Sequence, residues 1–103
     1  MIHIYEENRD AGITQLSKDE FKKHRSELGD IKEVQIRDSH NLTSTETLVV
    51  GTEATLHLSG FCVGYRGEGP AGLIWLLKEV GAEYTEEQIY GRQKIQNLTF
   101  KVQ

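Results

Sequence analysis

The clearest chemical signature in the sequence is a glycine-rich segment in the second half of the chain. Residues 67–72 read Gly-Glu-Gly-Pro-Ala-Gly, which is a G-x-G-x-x-G pattern. The first amides of a helix have no partner within the helix and lie at its positive end, and glycines let an anion approach them closely. The pattern has this meaning only between a strand and a helix, and the flanking residues predict both. The segment is therefore a candidate phosphate site.

Two side chains next to the segment would extend such a site. Arg66 offers a forked cationic donor to a phosphate group, and Tyr65 offers a ring that could stack on a base or a ribose. The candidate ligand-binding residues are therefore Tyr65, Arg66, Gly67, Gly69 and Gly72.

Other features of the segment favour a structural role. Pro70 removes one amide donor, Glu68 places a negative charge in the loop, and the absence of a following Gly-Lys-Ser or Gly-Lys-Thr excludes a Walker loop. A dinucleotide site also needs an acidic residue at the end of the next parallel strand, whereas Glu86 and Glu87 fall at a predicted helix start. Three alternatives stay open: a phosphate or nucleotide site, a tight strand-to-helix turn, and a protein-contact loop.

The stretch around the segment resembles a known sequence pattern. Residues 64–73 read Gly-Tyr-Arg-Gly-Glu-Gly-Pro-Ala-Gly-Leu, similar to a Gly-Tyr-x-Gly-x-Gly-Pro-x-x-Leu segment of small uncharacterised proteins from bacteria, plasmids and phages. The resemblance covers residues 61–77, and Arg66 stands where Gly or Glu is commoner. It implies an accessory protein of a mobile element, and a phage protein that sequesters defence-signalling nucleotides is one expected function.

The remaining reactive side chains form no catalytic or metal-binding pattern. A single cysteine, Cys62, excludes an internal disulfide framework and a cysteine-rich zinc site. His57 and Cys62 have opposite parity on a continuous strand, and only a bulge would align them for nucleophilic catalysis. The histidines lack the spacing typical of metal ligands; they are His3, His24, His40 and His57. The sequence predicts no enzyme, no metal and no cofactor.

The elements that would position the segment follow from the hydrophobic pattern. A capping box at Ser17-Lys18-Asp19-Glu20 predicts a helix over residues 17–28 that ends at Gly29. A second helix is predicted over residues 70–80, since proline is tolerated at the first helical position. A short third helix is predicted to start at the capping box Thr85-Glu86-Glu87-Gln88.

Apolar residues that alternate along the chain predict the strands. They fall at residues 2–5, 31–37, 45–50, 54–58 and 98–102. A bulge at Ser59-Gly60 would let the fourth strand continue through Phe61, Val63 and Tyr65 with one inward face, and this continuation is the strand expected before the glycine-rich segment. The order β-α-β-β-β-α-β, with short loops between most strands, predicts an α+β fold with a mainly antiparallel sheet of four to five strands and two main helices.

The predicted hairpin around Gly51-Thr52-Glu53 has two possible registers. A two-residue turn places Leu48 and Val50 on the face opposite Leu56 and Leu58, whereas a three-residue loop places all four on one face. Because register follows the buried pattern, the sequence favours the three-residue loop.

The second helix carries apolar side chains on more than one face. Leu73, Leu76 and Leu77 lie on one stripe at helical spacing, and Ile74 and Trp75 lie outside it. A helix that packs on one side of a small sheet should expose polar side chains to solvent on the face that points away from the sheet. A homo-oligomer that covers Ile74 and Trp75 is therefore expected, and a long loop folded over them is the alternative.

Composition narrows the function classes. The 103 residues suit one domain over the whole chain, and 12 Lys and Arg against 16 Asp and Glu make a nucleic-acid backbone an improbable partner. The longest apolar run, residues 73–77, is far shorter than a membrane span, and the start has no signal-peptide pattern, which predicts a cytoplasmic protein. The predicted function is non-enzymatic binding of a small phosphorylated or nucleotide-like ligand. The alternative is a protein-binding inhibitor or immunity-type module with no small ligand.

Overall fold

The computed structural model describes residues 2–6, 13–38, 45–64, 66–91 and 97–102. Within these ranges, helices and one face of a five-stranded sheet share a single hydrophobic core. The elements in chain order are β1 (Ile2–Tyr5), α1 (Thr14–His24), a 3-10 turn (Arg25–Glu27), β2 (Ile31–Asp38), β3 (Thr45–Gly51), β4 (Ala54–Leu58), α2 (Glu68–Val80), α3 (Glu86–Tyr90) and β5 (Leu98–Lys101).

The strands lie in the order β1-β4-β3-β2-β5. The β2–β3, β3–β4 and β2–β5 pairs are antiparallel, and β1 alone runs parallel to its neighbour, β4. A parallel pair needs a long crossover, which α1, β2 and β3 supply between β1 and β4. The predicted α+β class with a mostly antiparallel sheet is confirmed.

The favoured hairpin register is wrong. Val50 pairs with Thr55 and Leu48 pairs with His57, so Leu48 and Val50 lie on the face opposite Leu56, as the two-residue alternative requires. Leu48 is nevertheless only 6% exposed. Because both faces of the sheet bury apolar side chains at this point, the buried pattern could not identify the inner face.

The predicted continuation of the fourth strand past Ser59-Gly60 is also wrong. Strand β4 ends at Leu58, and residues 59–64 form no strand. The backbone here bonds to helices instead: the Gly60 amide and carbonyl bond the hydroxyls of Ser17 and Thr14 in α1, and the Gly64 amide bonds the Ile89 carbonyl in α3. The glycine-rich segment therefore does not directly follow a strand, as the dinucleotide pattern requires.

The start of α1 is also not where the capping box placed it. The helix begins at Thr14, and Ser17 is a buried helical residue. The Ser17 hydroxyl donates to the Glu6 carboxylate at 2.8 Å and accepts from the Gly60 amide at 2.8 Å. A buried partner from another part of the chain thus replaces the local capping interaction. The helix also ends earlier than predicted, at His24, and the 3-10 turn Arg25–Glu27 continues the chain. Gly29, with a φ of +75°, follows this turn rather than ending α1.

The second and third helices begin close to their predicted positions. Helix α2 starts at Glu68, two residues early, and ends before Gly81, whose φ is +75°. Pro70 therefore occupies the third helical position rather than the first. The capping box at α3 is confirmed, because the Thr85 hydroxyl accepts from the Gln88 amide and the Gln88 side chain accepts from the Thr85 amide.

Helix α1 packs across the part of α2 that lies outside the apolar stripe. The rings of Trp75 and Phe21 meet edge to face, with centroids 5.9 Å apart. The ammonium groups of Lys18 and Lys22 lie 5.4 and 5.6 Å from the Trp75 ring centroid. Ile74 and Trp75 are half-buried against the core. A homo-oligomer through this helix stays a prediction, and the chain itself already covers part of Trp75.

Among the described helices, none combines the length and the apolar character needed to cross a membrane.

Candidate functional site

The glycine-rich segment divides between the surface and the interior. Arg66 and Gly67 are exposed, whereas Gly69 and Gly72 are buried. The fifth predicted ligand-binding residue, Tyr65, lies outside the described residues. The structure therefore keeps two of the predicted residues accessible and places two others inside the fold.

The first turn of α2 has no side-chain cap. Gly67 is the N-cap residue, with an extended backbone and no capping hydrogen bond from a side chain. The first helical hydrogen bond runs from the Ala71 amide to the Gly67 carbonyl, at 3.1 Å. The amides of Glu68 and Gly69 precede that bond and lie at the positive end of the helix. Pro70 adds no donor, and the exposed Glu68 adds a negative charge.

Arg66 is held next to this turn by α3. Its guanidinium carbon lies 4.2 Å from the centroid of the Tyr90 ring, within the range of a cation–π contact. The Gly64 amide, on the same segment, donates to the Ile89 carbonyl at 2.9 Å. Helix α3 thus fixes the position of the chain immediately before α2.

Gly72 has a packing role that needs no ligand. A Cβ atom at this position would lie 2.4 Å from the Thr14 methyl carbon and 3.0 Å from the Phe61 ring. Only a glycine lets α2 approach α1 and the segment after β4 this closely. The third glycine of the pattern is therefore explained by the contact between the helices.

The carboxyl ends of the parallel strands β1 and β4 hold a buried carboxylate. Glu6 is 3% exposed and accepts from the Ser59 amide at 2.6 Å, as well as from the hydroxyls of Ser59 and Ser17. Ligands of parallel sheets commonly bind at this end of the strands. Here the chain's own carboxylate occupies the position. Neither α1, which begins after Ile13, nor α2, which begins after Gly67, has a capping hydrogen bond from its N-cap side chain, and of the two N-caps only Gly67 is adjacent to an exposed arginine in the chain.

A second polar cluster lies on the sheet face opposite the core, and the sequence did not predict it. His3 Nδ1 lies 2.9 Å from His57 Nε2. The other nitrogen of His57, Nδ1, contacts a Glu46 carboxylate oxygen, and the ring of Tyr5 stacks on His57 with centroids 4.3 Å apart. The cluster thus joins a carboxylate, two imidazoles and a phenol ring.

The hydrogen bonds of this cluster fix its tautomers. A carboxylate only accepts, so His57 Nδ1 carries a proton, and in the neutral imidazole Nε2 then presents a lone pair. His3 Nδ1 then donates to that lone pair when both imidazoles are neutral. Strand alternation puts His3 and His57 on one face, but only the parallel pairing of β1 with β4, which the sequence pattern did not indicate, makes them neighbours.

The far end of the same face carries an ion pair across β2 and β5. The Gln35 side chain donates to Glu33 at 2.6 Å and Lys101 donates to it at 3.1 Å. The hydrogen bond from Gln35, followed by that from Lys101, lowers the pKa of Glu33 below its ordinary value of 4.5.

Comparisons with protein families, curated proteins and solved structures give no match to this chain. The functional assignment consequently depends on the geometry described above.

Proposed function

We propose that the chain is a non-enzymatic binding protein for a small phosphorylated or nucleotide-like ligand, held at the start of α2. The observation that supports this proposal is an uncapped helix start with an exposed arginine positioned next to it. Amides at a helix start, which have no partner within the helix, and a guanidinium are complementary to a phosphate group. Because Arg66 already stacks on Tyr90, it has less conformational freedom to lose when a ligand binds.

Each residue at the helix start has a distinct role in the proposal. The amides of the exposed residues Gly67 and Glu68 donate to the phosphate oxygens, and Arg66 supplies the positive charge. The Glu68 side chain opposes binding because its carboxylate lies in the same first turn. The proposal includes a cytoplasmic location and, following the resemblance of residues 64–73, sequestration of a signalling nucleotide by a phage-type protein.

The role of Arg66 is tested by calorimetric titration with inorganic phosphate, AMP, ADP and cyclic AMP. A charge-assisted hydrogen bond contributes about 1.5–3 kcal/mol, so Arg66→Ala should weaken binding about ten- to a hundredfold. Arg25→Ala is the matched control, because Arg25 is also exposed, also lies over an aromatic ring (Phe21) and bonds the Glu79 carbonyl near the other end of α2. It should leave the affinity unchanged.

The direction in which Glu68→Gln changes the affinity provides a second test of an anion site. If an anion binds at the first turn, Glu68→Gln should strengthen binding by about two- to fivefold, the scale of a charge at a helix end, and added salt should weaken it. Equal affinity in wild type, Arg66→Ala and Glu68→Gln would contradict a phosphate site here.

The second candidate function is a protein-binding inhibitor or immunity-type module, supported by the edge of the sheet at β1. The exposed large apolar residues of the described chain are Ile2, Tyr5 and Ile13, at 66%, 44% and 49%. Ile2 and Tyr5 lie on the edge strand β1, which can pair with a partner's strand, and Ile13 directly precedes α1. A partner that is captured by wild type and by Arg66→Ala, but not by Ile2→Lys, would favour this function over the first.

A further inference from the structure

The histidine cluster on the outer face of the sheet lies on the side opposite the proposed phosphate site and is independent of it. We propose that His3 and His57 bind a divalent transition-metal ion of the Zn²⁺ type. The ion would bind His3 Nδ1 and His57 Nε2, the two nitrogens that are 2.9 Å apart, and would lie beside the line that joins them.

The separation of these nitrogens is close to the separation that zinc requires. A tetrahedral ion with bonds of about 2.0–2.1 Å holds two nitrogen ligands about 3.3 Å apart. The nitrogens therefore need to separate by a few tenths of an ångström. The His3 ring must also rotate, because a ring-centroid distance of 5.1 Å places both lone-pair axes close to the line between the nitrogens rather than at a point beside it. His3 is exposed on a four-residue edge strand, so its side chain can make this adjustment without disturbing the core.

Metal binding requires the proton of the His3–His57 hydrogen bond to leave His3 Nδ1. With both imidazoles neutral, His3 Nδ1 carries it and donates to His57 Nε2. On metal binding this proton moves to His3 Nε2, by exchange with solvent, and each ring then offers one lone pair to the ion. Both ligands remain neutral imidazoles, the form that binds zinc.

Two further contacts set His57 apart from an ordinary surface histidine. Glu46 accepts from Nδ1 of His57, the carboxylate–histidine arrangement that orients metal ligands and raises their basicity. Tyr5 stacks on the imidazole at an interplanar angle of 22°. Both contacts hold the His57 ring with Nε2 facing His3, so the rotation that brings the two lone pairs to one ion falls to the exposed His3.

The coordination shell of the proposed site is incomplete. Among the described residues, no three or more His, Cys, Asp or Glu side chains are grouped to hold a metal. The site therefore has two protein ligands, and water fills the other positions. This arrangement resembles an open, exchangeable zinc site rather than a closed structural one.

The proposal is tested by calorimetric titration of the full chain with Zn²⁺. We expect one ion per chain in wild type, at least tenfold weaker binding in His3→Ala, and about ten- to a hundredfold weaker binding in Glu46→Gln. His3→Ala is the primary variant because an exposed residue can be removed without unfolding the protein. His24→Ala is the matched control; both nitrogens of His24 contact carboxylates of Glu20 and Glu27 on or next to α1, and its loss should not change the affinity.

Imidazole nitrogen NMR identifies the ligands directly. Zinc should shift Nδ1 of His3 and Nε2 of His57 together, at one equivalent. The proposal is overturned if wild type shows no saturable zinc binding, if His3→Ala binds within tenfold of wild type, or if His24 nitrogens shift in place of those of His3 and His57.

Discussion

The residues at the start of α2, above all Arg66 and Gly67, determine which ligand this end of the helix can bind. Arg66 is positioned on Tyr90, and Gly67 leaves the first turn without a cap. Gly72, five residues later, lies against Thr14 and Phe61. The G-x-G-x-x-G pattern predicted the same role, phosphate binding, for Gly67 and Gly72. The packing role of Gly72 could not be predicted, because the pattern does not show that α1 crosses α2 at this residue.

The packing role of Gly72 predicts a loss of stability on substitution. Gly72→Ala places a Cβ 2.4 Å from the Thr14 methyl carbon, and overpacking of this kind costs about 1–3 kcal/mol. Urea denaturation should show this decrease in the free energy of unfolding.

A second variant identifies the atom responsible for the clash. Thr14→Ser removes the methyl group but keeps the hydroxyl that donates to the Gly60 carbonyl. The double variant Thr14→Ser/Gly72→Ala should therefore recover part of the lost stability relative to the sum of the single changes. Wild-type stability in Gly72→Ala would show that the two helices are farther apart than described.

Among the secondary-structure elements, a capping box in the sequence predicted a helix start correctly only where its side chains bond within the same turn. The Thr85 capping box forms because both its partners lie within the same turn. The Ser17 box does not form, because the Ser17 hydroxyl bonds to Glu6 and to the Gly60 amide instead. Likewise, alternation predicted the strands, but their register and the neighbours of β1 depend on contacts between distant parts of the chain.

The ion pair that joins β2 to β5 predicts a pH-dependent contribution to stability. The pKa of Glu33 is lowered in the folded chain, so its stabilising effect is complete above the ordinary carboxyl pKa and is lost as the pH falls through the lowered value. At pH 7, Glu33→Gln should reduce the free energy of unfolding by about 0.2–1 kcal/mol.

The pH series distinguishes this charge effect from a change in packing. The difference between wild type and Glu33→Gln should shrink towards zero as the solution is acidified below the ordinary carboxyl range. Glu83→Gln, at an exposed position, should show little difference at any pH. A difference for Glu33→Gln that is constant with pH would contradict the charged pair.

In the whole molecule, the two faces of the sheet carry different kinds of side chain. The inner face packs against the helices to form the core, whereas the outer face carries the histidine cluster and the Glu33–Lys101 pair. Fold class was predictable because hydrophobic periodicity reflects burial. The histidine cluster was not, because it requires His3 and His57, 54 positions apart in the chain, to lie on adjacent strands.

Assembly is tested by sedimentation velocity over a range of protein concentrations. If α2 forms the predicted homo-oligomer interface, Trp75→Glu should lower the mass while unfolding stays cooperative, and Ile2→Lys at the β1 edge should leave it unchanged. A wild-type monomer at high concentration would contradict the interface, and a mass lowered only by Ile2→Lys would move it to β1.

The most direct test of the proposed function is an NMR titration of the backbone amides with inorganic phosphate and with AMP. Binding at this position should give saturable shifts at Gly67 and Glu68, the exposed residues where α2 begins, and much weaker saturation of the same shifts in Arg66→Ala. Saturable shifts confined to other parts of the chain, or none with either ligand at millimolar concentration, would contradict a phosphate site at the start of α2.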